Sequence, residues 1–142
     1  VRVLGDLTRL TAAAGEAVGR VTGRTARNDR LILNLFISYG SRDEIVRAAR
    51  ALATDVVEGR LAVDDIDADR LGARLYTAGC PDPDLLVRTS GDQRNSNFLL
   101  WQLAYSELYL SPVLWPDFTR SDLYDAILSF QARERRFGRV SV

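Results

Sequence analysis

Strand-like runs alternate with helix-like runs along this 142-residue chain, and that alternation predicts an α/β fold with a largely parallel central sheet flanked by helices. Three observations carry the expectation. Short apolar stretches of strand length, "VRVLGD" (1–6), "LILNLFIS" (31–38), "LLVR" (85–88) and "SELYL" (106–110), are separated by segments with helical spacing. "LILNLFIS" is apolar almost throughout, as expected for a strand covered on both faces. Directly after "LLVR" comes "RTSGDQRNSN" (88–97), a dense polar loop at the carboxyl end of a strand, where such sheets bind ligands.

The elements follow in order. Residues 1–6 alternate as a strand that begins at residue 1, which points to an upstream part of the same fold. Residues 10–27 read as a helix weakened by three glycines, and "RNDR" as the turn after it. Ser41 and Glu44 have the spacing of a capping box, ahead of a helix whose apolar face is Ile45, Ala49, Leu52 and Val56, ended by Gly59. Residues 64–76 form a second, Asp-capped helix, and "CPDPD" breaks the chain before the strand 85–88. Residues 98–104 suit a short helix or a strand equally. Pro112 and Pro116 bracket a turn; Thr119 and Asp122 then open a last helix with Leu123, Ile127 and Phe130 inward.

Composition narrows the function. Acidic and basic residues balance at 19 each, so no broad field attracts nucleic acid, and no nucleic-acid partner is expected. Every basic residue is arginine, a bias of the whole chain that by itself singles out no position. With no histidine, Ser-His chemistry and histidine-ligated metals are excluded from these residues. The single cysteine, Cys80, cannot form an internal disulfide, which suits a reducing, cytoplasmic setting. No signal peptide or spanning segment is visible.

The loop 88–97 carries the chemistry. Arg88 and Arg94 are fork-shaped donors that match phosphate oxygens two bonds at a time. Ser90 and Ser96 add hydroxyls, and Gly91 allows a tight turn that brings backbone N–H groups near an anion. Together they describe a phosphate cradle; the competing reading is a solvated loop whose arginines pair with Asp92 and Asp84. The carboxylates Asp92 and Glu107 would repel a bare phosphate, whereas Mg²⁺ takes oxygen ligands from both carboxylate and phosphate. A metal-diphosphate site is therefore the more coherent of the phosphate readings.

"PDPDLLVRTSGDQRNSNFLLWQLAYSELYLSPVLWPDF" (81–118) followed by "ARERRFG" (132–138) resembles the C-terminal half of the cis-prenyltransferases, the undecaprenyl diphosphate synthase family. "VRVLGDLTRL" and "LNLFISYGSRDEIVRA" fall upstream in the family's order, so the resemblance covers essentially the whole chain. It implies condensation of isopentenyl diphosphate onto an allylic prenyl diphosphate, with a new cis double bond, release of diphosphate and a requirement for Mg²⁺. It implies that Arg88, Arg94 and Ser96 hold the isopentenyl diphosphate. Glu107 is implied as the Mg²⁺ residue, with Asp92 as a second candidate ligand. Arg136 and Gly138 match the tail that completes the neighbouring site in a homodimer. The resemblance also allows a peripheral association of the protein with membranes through its product.

The sequence also departs from that family. The acid after "SG" is Asp92 where glutamate is usual, and "SYGSR" stands for "NYGGR", placing serines at 38 and 41. The "MDGNGRWA" segment, which grips the allylic diphosphate, is not among these residues. The chain is thus expected to be the C-terminal part of a larger single domain, supplying the isopentenyl diphosphate half of the site and inactive alone. Two alternatives stand beside it: a member making a branched or cyclised condensation, or a non-catalytic subunit of a heteromeric synthase.

Overall fold

The computed structural model describes residues 1–133, so Arg136 and Gly138 lie outside the described residues. The chain divides into two units, Val1–Cys80 and Pro81–Val142. A helix follows each of the first, second and fourth strands, turns alone join the third to the fourth, and every strand pairing among the described residues is parallel, in keeping with an α/β fold.

In the first unit, β1 (Arg2–Leu4) runs parallel to β2 (Asn34–Phe36), with Arg2 opposite Asn34 and Leu4 opposite Phe36. The strand predicted over 31–38 is thus shorter. Leu31, Ile32 and Leu33 are 77%, 56% and 48% exposed rather than covered, because within this unit the ladder extends only as far as β1. Helix α1 (Ala12–Thr25) begins at Thr11, whose hydroxyl accepts the Ala14 N–H.

Helix α2 (Ser41–Val57) differs instructively from its predicted pattern. Its N-cap is Gly40, without a side-chain cap bond, and the buried face is Ser41, Glu44, Ala48, Leu52 and Asp55. Ala49, expected inward, is exposed, and Ile45 and Val56 are half-buried. Glu44 faces the interior because protein donors reach it there, which apolar periodicity does not register. The helix ends in a Schellman motif. Gly59 takes φ +71, its N–H donates to Val56 O, and the Arg60 N–H donates to Asp55 O. The helix predicted over 64–76 resolves into a 3₁₀ turn, Val63–Asp65, and the five-residue α3 (Ala68–Gly72). The break falls at Asp67, whose carboxylate accepts the Arg70 N–H; aspartate gains more as a cap than inside a helix.

In the second unit, β3 (Leu85–Arg88) pairs with β4 (Glu107–Leu110), Leu85 opposite Glu107 and Arg88 opposite Leu110. Residues 98–104 form neither helix nor strand but successive turns, anchored by the buried Leu99 and Gln102. After a 3₁₀ turn at Trp115–Asp117, helix α4 (Arg120–Gln131) starts from the predicted capping box. The inward side of α4 is not the predicted one. Ala126 is fully buried and Phe130 half-buried, while Leu123 and Ile127 are exposed.

Candidate functional site

Three backbone bonds and one to a side chain build the loop after β3. The Ser111 N–H donates to Arg88 O, the Gly91 N–H to Ser111 O and the Ser90 N–H to Val113 O; the Ser111 hydroxyl accepts the Val113 N–H. The chain therefore leaves β3 strapped to the segment that follows β4. These bonds also correct one expectation: the N–H groups of Ser90 and Gly91 are engaged by carbonyls and do not form an open anion nest.

The loop then bends through left-handed backbone at Ser90, Gly91, Ser96, Asn97 and Leu99. Four of these are not glycine, and each such residue costs about 1–2 kcal/mol. Backbone strain of this kind persists where the surroundings hold it, and it concentrates at ligand-binding segments. Asn95 supplies one of the braces, its side-chain oxygen accepting the Phe98 N–H at 2.6 Å.

Within this frame Arg88, Asp92, Arg94 and Ser96 come together. Arg88 Nη2 donates to Asp92 Oδ2 at 2.8 Å and to Ser96 Oγ at 3.3 Å. Arg94 lies 3.7 Å from the same carboxylate oxygen and is 77% exposed. Arg88 Nε is buried without a hydrogen-bond partner, so this fork keeps unused donor capacity, which costs about 1–3 kcal/mol in a buried group. The pairing of the arginines with Asp92 agrees with the solvated-loop reading. One carboxylate oxygen between two guanidiniums is also the arrangement an incoming phosphate oxygen would replace.

Glu107 stands elsewhere. It opens β4 opposite Leu85, whereas the arginine loop leaves β3 opposite Leu110, and three strand residues span about 10 Å. Its carboxylate accepts from Arg133 Nη1 at 2.9 Å, and the same nitrogen donates to Leu108 O. Arg133 was missed in the sequence because helix spacing does not reveal which strand residue a helix end reaches. Among the described residues no group of three acidic, histidine or cysteine side chains could hold a metal unaided. Mg²⁺ commonly takes one or two carboxylates and completes its shell with substrate phosphates and water. Asp92, beside two phosphate-matching arginines, fits that mode.

The family model for putative undecaprenyl diphosphate synthases matches residues 1–138. The isoprenyl transferase of Geobacter sulfurreducens is 50% identical over 139 residues, covering 98% of this chain and 56% of the relative. That of Heliobacterium mobile is 45% identical over 142 residues, covering 100% and 55%. The chain thus spans little more than half the length of these relatives. Among solved structures, lavandulyl diphosphate synthase from Lavandula x intermedia, in complex with dimethylallyl diphosphate, superposes with a TM-score of 0.94 at 41% identity, covering 97% of this chain and 59% of that one. A probable undecaprenyl diphosphate synthase from Campylobacter jejuni gives 0.80 at 40% identity, covering 97% and 62%. On the match across residues 1–138, the chain belongs to the undecaprenyl diphosphate synthase family of prenyltransferases.

Proposed function

We propose that this chain is the C-terminal part of a larger single-domain cis-prenyltransferase and supplies its isopentenyl diphosphate subsite. The observation that carries the reading is the convergence of Arg88 and Arg94 on Asp92, with the Ser96 hydroxyl accepting from Arg88, at the carboxyl end of β3. In the reaction, the allylic C–O bond breaks and its diphosphate leaves with the bonding pair. The double bond of isopentenyl diphosphate attacks the allylic carbon, and loss of a proton leaves a new cis double bond. Arg88 and Arg94 hold the isopentenyl diphosphate by paired N–H bonds, and Ser96 adds a hydroxyl. Their task is positioning, which lowers the barrier by presetting the approach of two reactants. Asp92 would hold a bound metal in place of its guanidinium partners, and Glu107 would have to release Arg133 to ligate one. Bound Mg²⁺ would offset diphosphate charge. The allylic subsite belongs to residues outside this chain.

A second reading has its own support. The departures at Asp92 and Ser38 leave a branched or cyclised condensation open as the alternative outcome, and the chain superposes on lavandulyl diphosphate synthase. A non-catalytic subunit fits less well, because the diphosphate-matching residues are all present. Product analysis of the full-length protein by chain length and branching separates these readings.

The subsite assignment is tested by Arg94→Ala in the full-length protein. Loss of a charge-assisted pair costs about 1.5–3 kcal/mol, so apparent affinity for isopentenyl diphosphate should fall about ten- to a hundredfold. Affinity for the allylic substrate should change little, and lysine at 94 should restore only part, since a point charge cannot make the fork. Equal losses for both substrates would refute the assignment.

A further inference from the structure

Glu44 is 1% exposed, on the first turn of α2, and its carboxylate serves two parts of the chain at once. Oε2 accepts the Tyr39 hydroxyl at 2.6 Å, and Oε1 accepts the Tyr76 backbone N–H at 2.6 Å. The two rings meet edge-on at 6.3 Å, and Tyr39 also stands edge-on to Phe36 of β2 at 4.8 Å. The guanidinium of Arg47 lies 4.2 Å over the Tyr76 ring, and its Nη2 donates to Arg74 O. Tyr39 is thus held at its tip by Glu44 and along its ring by two aromatic neighbours.

What this clamp restrains is the corner after β2. Ser38 has φ +50, a left-handed conformation that serine rarely adopts. Its carbonyl accepts the Asp6 N–H at 3.2 Å. Gly5 at φ +127 lets the end of β1 approach so closely that a Cβ there would lie 2.1 Å from Ile37 O. The corner Ile37–Tyr39 is therefore held by β1 on one side and by Glu44 on the other. An apolar residue at 44 would deprive the Tyr39 hydroxyl and the Tyr76 N–H of this acceptor, and a part-buried donor left unmatched destabilises the fold. The carboxylate also adds direction: the Tyr76 N–H holds one oxygen, and the other holds the tip of Tyr39.

We infer that Glu44 is a positioning residue, whose buried carboxylate fixes Tyr39 and through it the strained Ser38 corner at the carboxyl end of β2. That end of a parallel strand pair is where ligands dock. The inference rests on the prenyl-transfer reading for its kinetic consequence, and on the geometry alone for its structural one. Positioning without substrate contact lowers kcat and leaves substrate affinity in place.

The test uses the full-length protein with Tyr39→Phe, Glu44→Gln and the double substitution. Tyr39→Phe removes one hydroxyl and leaves the ring packing intact, so it serves even if Glu44→Gln does not fold. With Tyr39→Phe, kcat should fall about tenfold while KM for both diphosphates stays within about twofold. Where Glu44→Gln folds, the double variant should be no slower than the slower single, because both substitutions cut one link. A kcat within about twofold of the parent for Tyr39→Phe, or losses that multiply in the double variant, would overturn the inference. If the full-length protein shows no prenyl transfer, the functional reading fails separately and amide hydrogen exchange decides the positioning claim. Faster exchange at residues 38–40 in Tyr39→Phe supports it; unchanged protection there overturns it.

Discussion

Asp92 lies between Arg88 and Arg94, in the place that a diphosphate oxygen would take in the proposed subsite. Without ligand, its charge keeps two half-exposed to exposed guanidiniums from repelling one another. With ligand, the same charge opposes binding unless a cation takes it up. The sign of an Asp92→Asn effect should therefore depend on the metal. We expect tighter isopentenyl diphosphate binding than the parent in chelator and weaker binding in Mg²⁺, narrowing the metal dependence by about tenfold, the size of one charge-assisted pair. Calorimetric titration under both conditions checks this, and an unchanged metal dependence would remove Asp92 from the ligand set. Residue types and spacing in "RTSGDQRNSN" already named every member of this cluster. The pairing was not legible there, because a loop's hydrogen bonds depend on which strand it is strapped to, and that partner segment lies about twenty residues downstream.

At the scale of elements, local chemistry was legible where bonds run between near neighbours. Thr119 and Asp122 form the capping box that their spacing suggests, the Thr119 N–H and hydroxyl donating to Asp122 Oδ2 at 2.7 and 2.6 Å. The Thr119 hydroxyl, and after it the Thr119 N–H, hold the Asp122 carboxyl below its ordinary value of 3.8. A carboxyl lowered in the folded state stabilises above its unfolded value and loses that contribution as pH falls through the lowered one. Acid titration of the full-length protein should therefore show a loss in α4 below about pH 4 that Asp122→Asn abolishes, with Thr119→Ala lowering the thermal midpoint at neutral pH. Identical acid profiles for the parent and Asp122→Asn would show that the cap contributes nothing measurable. Ser41 and Glu44 have the same kind of spacing and a different fate. Tyr39 and the Tyr76 N–H draw the carboxylate inward, and Tyr76 is 32 residues away.

The whole molecule leaves large apolar side chains uncovered. In the second unit Leu108, Leu110, Leu114 and Trp115 are exposed, Trp115 by 72%, along one stretch of chain. Contiguous large apolar and aromatic groups mark interfaces rather than free surface. No helix among the described residues is long and apolar enough to cross a membrane. Under the proposed function the cover is a second copy, in a homodimer where Arg136 and Gly138, outside the described residues, would complete the neighbouring site. Mixing full-length Arg88→Ala with full-length Arg136→Ala tests this. A mixed dimer with the tail exchanged has one site carrying both arginines, so activity should recover toward about half the parent level per mixed dimer under two-fold symmetry. No recovery despite demonstrated exchange would place Arg136 in its own subunit's site or in none.

The sequence by itself determined the α/β class, the family resemblance and which residues gather in the loop after β3. These depend on residue type, alternation and short spacing, all written along one dimension. Tertiary structure alone decided that Glu44 faces inward, that Arg133 reaches Glu107, and that Glu107 stands about 10 Å along the ladder from the arginine loop. Each of those depends on a contact between residues more than twenty positions apart. Such contacts follow from strand register and helix rotation, and a one-residue change in either would redirect the side chains without altering the pattern of residue types.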